Sequence, residues 1–131
     1  MTEDKQKILV IDDDAGIREA FLLALEDTAY EVKTCANGQQ GIEAFDAGRF
    51  DLVYLDLKMP GMNGVAVLQE IRKRDPEVPV YIVTAYFGDF SEELEQFKQD
   101  KLNFEVLIKP IGQTQIIDIT RSILEGSRIV E

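Results

Sequence analysis

The 131-residue chain contains no histidine. That absence removes imidazole acid–base catalysis and any phosphohistidine. Cysteine occurs once, at Cys35, so no internal disulfide can form, and a reducing compartment fits. Nothing approaches 18 consecutive apolar residues, so no membrane span is expected. The N-terminal stretch Met1-Thr2-Glu3-Asp4-Lys5-Gln6-Lys7 lacks the apolar region of a secretory signal, which makes a cytoplasmic location the expectation. A GxxxxGK run followed by Ser or Thr is missing, which removes a P-loop, and so is GxGxxG, the usual dinucleotide signature. Basic residues are scarce: 14 Lys and Arg stand against 25 Asp and Glu, for a net charge of -11. Direct nucleic-acid binding is therefore not expected, because phosphate contact needs clustered Lys and Arg. The densest basic cluster, Arg72-Lys73-Arg74, reads as a solvated helix C-terminus favoured by the helix dipole.

The composition is 45% hydrophobic and 30% charged, that of one folded domain with a sizeable core. Strand and helix patterns alternate five times. Strands are expected at Lys7–Ile11, Glu31–Thr34, Asp51–Leu55, Val80–Val83 and Phe104–Ile108. The first helix spans Ala15–Asp27, with Ile17, Phe21, Ala24 and Leu25 on one face. A second ends at Gly48, and a third follows the Pro60-Gly61-Met62-Asn63-Gly64 turn with Asn63 as its cap. The fourth covers roughly Phe87–Gln99, and the fifth ends near Gly126. Strands 1, 3, 4 and 5 are apolar without alternation, the mark of parallel strands covered on both faces. The expected fold is thus a doubly wound α/β three-layer sandwich, a five-stranded parallel sheet flanked by five helices.

Polar residues end the apolar runs. Ile8-Leu9-Val10-Ile11 stops at Asp12-Asp13-Asp14, and Leu52-Val53-Tyr54-Leu55 stops at Asp56. Val80-Tyr81-Ile82-Val83 stops at Thr84, and Val106-Leu107-Ile108 at Lys109-Pro110. In a parallel sheet all four ends share one edge, where ligands bind. Strand order 2-1-3-4-5 sets Asp12 and Asp13 beside Asp56 and is chosen on that chemistry. Adjacent carboxylates repel one another, and a hard divalent ion, Mg2+, relieves the repulsion. Asp14 directly precedes the first helix and reads better as its cap. Asp56, isolated after four apolar residues, is suited to attack phosphorus and carry an acyl phosphate. Lys109 is the cation for the transferring oxygens, and Thr84 can donate its hydroxyl to one of them. The Lys109-Pro110 bond is either cis, aiming the lysine, or a plain strand terminator.

Together these stretches, with Asp51 to Gly64, Val83-Thr84-Ala85 and Ile108-Lys109-Pro110, resemble the receiver domain of two-component response regulators (the CheY-like superfamily, a flavodoxin-like fold). The resemblance runs over about residues 7 to 125, with the receiver expected at 1–126 and a C-terminal tail at 127–131. It implies that Asp56 takes a phosphoryl group from a sensor histidine kinase or phosphotransfer protein and slowly loses it to water. It also implies that Asp12, Asp13, Asp56 and the Lys58 backbone carbonyl hold Mg2+. Lys109 would pair with the phosphoryl group, and Thr84 would be the switch hydroxyl. The family's strand order is the 2-1-3-4-5 already chosen.

Two departures bear on output. The family often has an aromatic three residues before its lysine, where this chain has Val106, with Phe104 two residues further back. Gly-Ala often precedes strand 5, where Lys101-Leu102-Asn103 stands here. Tyr86, two residues past Thr84, is expected to restrict the attacking water and lengthen the phosphorylated lifetime. The output surface is expected on helix 4, strand 5 and helix 5, toward a downstream protein or a second copy, with Phe87, Phe90 and Phe97 supplying aromatic area. Two alternatives stand beside this. One is a receiver-fold binding module that is never phosphorylated. The other is a phosphatase resembling the haloacid dehalogenases, with Asp12 as nucleophile and Asp14 as acid–base.

Overall fold

A computed structural model describes residues 5–85, 91–99 and 104–126. Ten elements alternate: β1 (Lys7–Ile11), α1 (Ala15–Leu25), β2 (Glu31–Cys35), α2 (Gly38–Ala47), β3 (Leu52–Leu55), α3 (Gly64–Arg74), β4 (Val80–Thr84), α4 (Ser91–Gln99), β5 (Glu105–Ile108) and α5 (Gln113–Glu125). Every strand pair is parallel and the order is β2-β1-β3-β4-β5. The doubly wound sandwich and the order chosen from the carboxylates are both observed. Tyr86, Phe87, Phe90, Lys101, Leu102 and Asn103 lie outside the described residues, as does 127–131.

The side-chain period of two divides each central strand between two apolar layers. Leu9, Ile11, Val53, Leu55 and Ile82 enter one layer with Ile42 of α2, Val67, Leu68 and Ile71 of α3, and Leu94 and Phe97 of α4. Ile8, Val10, Leu52, Tyr54 and Val83 enter the other with Phe21, Ala24 and Leu25 of α1 and Ile116 of α5. In this second layer the Tyr54 hydroxyl meets Thr120 Oγ1 of α5 at 2.7 Å, with the Phe21 and Tyr81 rings against the Tyr54 ring. A buried hydroxyl is tolerated there because it has a partner.

Helix starts follow the cap chemistry in the sequence. Asp14 accepts from the Gly16 amide at 2.8 Å, Asn37 from Gln40 at 2.8 Å and Asn63 from Ala66 at 3.0 Å. Helix α1 ends at Leu25, two residues short of the expected Asp27, because the Thr28 amide and hydroxyl both take the Leu25 carbonyl, at 3.2 and 2.6 Å. Two glycines permit close approach. A Cβ at Gly41 would meet Ile11 Cδ1 at 2.5 Å, and one at Gly64 would collide with the Asp56 carbonyl oxygen. Gly61, at φ 75°, supplies the left-handed residue of the turn between β3 and α3.

Two expectations need correction. Strand β5 is covered only in part: Val106 packs on one layer and Leu107 on the other, but Glu105 is exposed and Ile108 is 54% exposed. Among the described residues it pairs only with β4 and so lies at the sheet's edge, a position that apolarity alone does not reveal. The basic cluster is not uniformly solvated either. Arg72 is 6% exposed and donates to the Asp75 carbonyl at 3.1 Å, so the end of α3 folds over its guanidinium. Arg74 behaves as expected of a surface residue, pairing with Asp46 at 2.6 Å and Glu70 at 2.8 Å.

Candidate functional site

The C-terminal ends of β1 and β3 lie side by side, with Ile11 opposite Leu55 in register. The residues that follow therefore emerge together: the Asp56 amide donates to the Ile11 carbonyl at 2.9 Å, and the Asp12 amide to Cys35 at 3.1 Å. On the other side Thr84 closes β4 opposite Ile108, and the Lys109 amide donates to the Thr84 carbonyl at 3.0 Å. The Lys109–Pro110 peptide bond is cis. The Gly64 amide, donating to Leu57 at 2.8 Å, folds the turn after β3 back under the strand end.

Carboxylate oxygens of Asp12, Asp13 and Asp56 all fall within 4.8 Å of one another. Asp12 is 2% exposed and Asp56 5%, while Asp13 faces solvent. Lys109 Nζ stands 3.0 Å from Asp12 Oδ2 and 3.6 Å from Asp56 Oδ1. Burial and then the neighbouring Asp12 charge push the Asp56 carboxyl up to about 6, against the pull of Lys109 and the Lys58 amide. Asp12 is also raised, by burial first, with the Asp14 amide at 2.9 Å and Lys109 opposing. Burial draws the Lys109 ammonium down, but Asp12, Asp56 and Asp14 reverse this and leave it raised and charged.

One ammonium thus faces three carboxylates. Two of them, Asp12 and Asp56, are raised from their ordinary values, by burial first and by repulsion from neighbouring carboxylates second to it. An all-oxygen donor set in that state fits a hard divalent cation better than a softer metal.

The structure brings Asp12, Asp13, Asp56 and Lys109 together as the sequence predicts, and sets Thr84 on the same edge, fully buried. Asp14 is the α1 cap. Lys58 approaches Asp56 through its amide, on the peptide group before the carbonyl expected as a ligand. Val106 and Phe104 are partly buried against the layer formed with α2, α3 and α4. The Phe104 ring meets Phe97 edge-on at 6.4 Å, so it is committed to α4. Sequence reasoning missed Arg18, whose Nη1 donates to the Asp12 carbonyl at 2.9 Å. The signal was available, since helical side chains lean toward the helix N-terminus and Arg18 is one turn into α1.

Residues 8–121 match the family described as the response regulator receiver domain, and the chain belongs to that family. It is accordingly a CheY-like receiver of two-component signalling, a phosphoacceptor class. It is 37% identical over its whole length to the transcriptional regulatory protein ZraR of Escherichia coli O157:H7, covering 29% of that protein. It is 32% identical over 93% of its length to a probable transcriptional regulator, ycf27, of Guillardia theta, covering 46% of it. The chain thus spans less than half of these two relatives. Among solved structures, the response regulator TrrA of Thermotoga maritima, in complex with Mg2+ and BeF, is 32% identical with a TM-score of 0.75, over 91% of this chain and 99% of that one. The chemotaxis protein CheY4 of Vibrio cholerae is 25% identical with a TM-score of 0.80, over 92% of this chain and all of that one. No helix among the described residues is long and apolar enough to cross a membrane.

Proposed function

We propose that this chain accepts a phosphoryl group on Asp56 from a histidine kinase or phosphotransfer protein and slowly loses it to water. One observation carries the reading: Asp56 sits at the sheet edge within 4.8 Å of Asp12 and Asp13, with Lys109 at 3.6 Å. Asp12, Asp13 and Asp56, with the Lys58 backbone carbonyl, would hold Mg2+. When bound, the ion supplies charge neutralisation for the carboxylates and for phosphoryl oxygens. The relative solved with Mg2+ and BeF supports that assignment.

In the transfer, an Asp56 carboxylate oxygen bonds to phosphorus as the donor's bond to phosphorus breaks and its electron pair leaves with the donor. Lys109, already charged by its acidic neighbours, stabilises the transferring oxygens. Thr84 is the hydroxyl that reads the new group. The signal leaves through α4, β5 and α5, toward a downstream protein or a second copy. The charge argument against direct nucleic-acid contact concerns these 131 residues only.

A second reading keeps the receiver fold as a binding module without phosphorylation. Val106, in place of the frequent aromatic, is the observation in its favour. The family assignment and the use of Asp14 as a cap leave no support for the haloacid-dehalogenase-like alternative. Incubation with acetyl phosphate and Mg2+, with mass-spectrometric location of the product, tests the first reading. Label at Asp56 in the wild type and none in Asp56→Asn is expected. Absence of label from wild-type Asp56 favours the binding module.

A further inference from the structure

Asp12 and Asp13 adjoin in the chain, so the orientation of the single peptide group between them sets where both carboxylates can point. Three contacts hold Asp12 from other directions. Its amide donates to Cys35, its Oδ1 accepts from the Asp14 amide and its Oδ2 faces Lys109. None of these touches the carbonyl of the Asp12–Asp13 peptide. That carbonyl is taken by Arg18, with Nη1 at 2.9 Å in a partly buried contact. The Arg18 amide meanwhile donates to the Asp14 carbonyl at 3.1 Å. One residue therefore ties the acidic loop to α1 at both ends, through its side chain at Asp12 and its backbone at Asp14.

The loop needs such a tie. Three neighbouring carboxylates repel one another, and Lys109 approaches Asp12 and Asp56 from the β5 side. Rotation of the peptide would carry solvent-facing Asp13 away from the other two.

We propose that Arg18 is a positioning residue for the acidic site, fixing the peptide between Asp12 and Asp13 so that both carboxylates point at one cation. This rests on the metal-holding role proposed above for those residues. Charge and geometry give opposite expectations, which makes the inference testable. As a mere positive charge, Arg18 would repel a divalent cation, and its removal would tighten binding. As a clamp, its removal weakens binding, as loss of a group orienting a metal ligand does.

The test is calorimetric titration of the full chain with Mg2+, together with the Mg2+ dependence of labelling by acetyl phosphate. Arg18→Ala is expected to bind Mg2+ about tenfold more weakly. The labelling rate at saturating Mg2+ should stay near wild type, while the half-saturating concentration rises by the same factor. Arg18→Lys, which keeps a donor on a long stem, should recover most of the affinity. Tyr30→Phe, which removes a hydrogen bond to Glu125 at the end of α5, serves as the structural control and should leave Mg2+ affinity unchanged. If Arg18→Ala does not fold, Arg18→Met keeps the aliphatic stem and carries the same expectation. Equal or tighter binding in the folded variant overturns the inference. Failure of the wild type to bind Mg2+ overturns the reading of the site and this inference with it.

Discussion

Gly64 lies so close under the Asp56 carbonyl oxygen that no Cβ fits between them. The strand end and the first residue of α3 are in backbone contact, so the Asp56 peptide has no room to retreat. Gly64→Ala is expected to destabilise the fold by about 1–3 kcal/mol, the range for forcing an extra carbon into a packed site. Because the displaced atoms include the Asp56 backbone, Mg2+ affinity should fall as well. Urea denaturation and Mg2+ titration of the same variant check both parts.

The raised Asp56 carboxyl makes metal-free stability depend on pH. Between 3.8 and about 6 the folded state binds a proton that the unfolded chain has released, so stability falls as pH rises through that window. Complete passage costs about 3 kcal/mol, from 1.36 kcal/mol per pKa unit over that interval. Without divalent ion, Asp56→Asn is therefore expected to be more stable than wild type at pH 7.5 by about 1–3 kcal/mol, and little different near pH 4. Added Mg2+ should stabilise the wild type more at pH 7.5 than at pH 5, since protons compete for the same oxygens. Denaturation curves at both pH values, with and without Mg2+, measure this. A wild type that outlasts Asp56→Asn at pH 7.5 in chelator would contradict it.

Tyr54 and Thr120 join β3 to α5 inside the second apolar layer. Tyr54→Phe strands the buried Thr120 hydroxyl and should cost about 1–2 kcal/mol. Pairing it with Thr120→Val removes both polar groups, so the double variant should lose less than the sum of the singles. Labelling of Asp56 should survive in all three, because their contact lies within the layer and not at the acidic edge. A double-mutant cycle with zero coupling would contradict the role given to this pair.

Phe97 is buried and carries the edge-on contact with Phe104. Phe97→Ala should cost about 3–5 kcal/mol as an aromatic cavity. Phe104 is only partly buried, so Phe104→Ala should cost less. Thermal denaturation of the two variants ranks them, and the reverse order would contradict the packing described.

What the chain disclosed in advance follows from the kind of information each feature leaves. Apolar runs that stop at Asp12, Asp56 and Thr84 are visible because a parallel strand covered on both faces has no polar alternation to hide its end, and the run before Lys109 is apolar too although its strand is less covered. Strand order left no such trace, and only the need to bring Asp56 beside Asp12 selected it. The exposure of Ile108 was not legible, since an edge strand and a central one can share the same residues. Arg72 was misread because hydropathy treats every guanidinium as solvated, whereas here the end of α3 supplies a carbonyl partner. Arg18 is a different case: the lean of helical side chains toward the helix N-terminus pointed to the acidic loop, but the particular acceptor, the Asp12 carbonyl, is a backbone group that no residue type marks.

Helix α5 ends at the opposite pole from the acidic cluster. Its last turn is tied there by Gln6, which donates to the Leu124 carbonyl at 3.2 Å, and by Tyr30, which donates to Glu125 at 2.5 Å. Five-residue β1 lies between Gln6 and Asp12, a span of roughly 20 Å of extended chain. A module joined after α5 in a longer polypeptide would be tethered at the far pole. Its hinge would then be indifferent to the ion and phosphate directly, and would register only how firmly this last turn is held down.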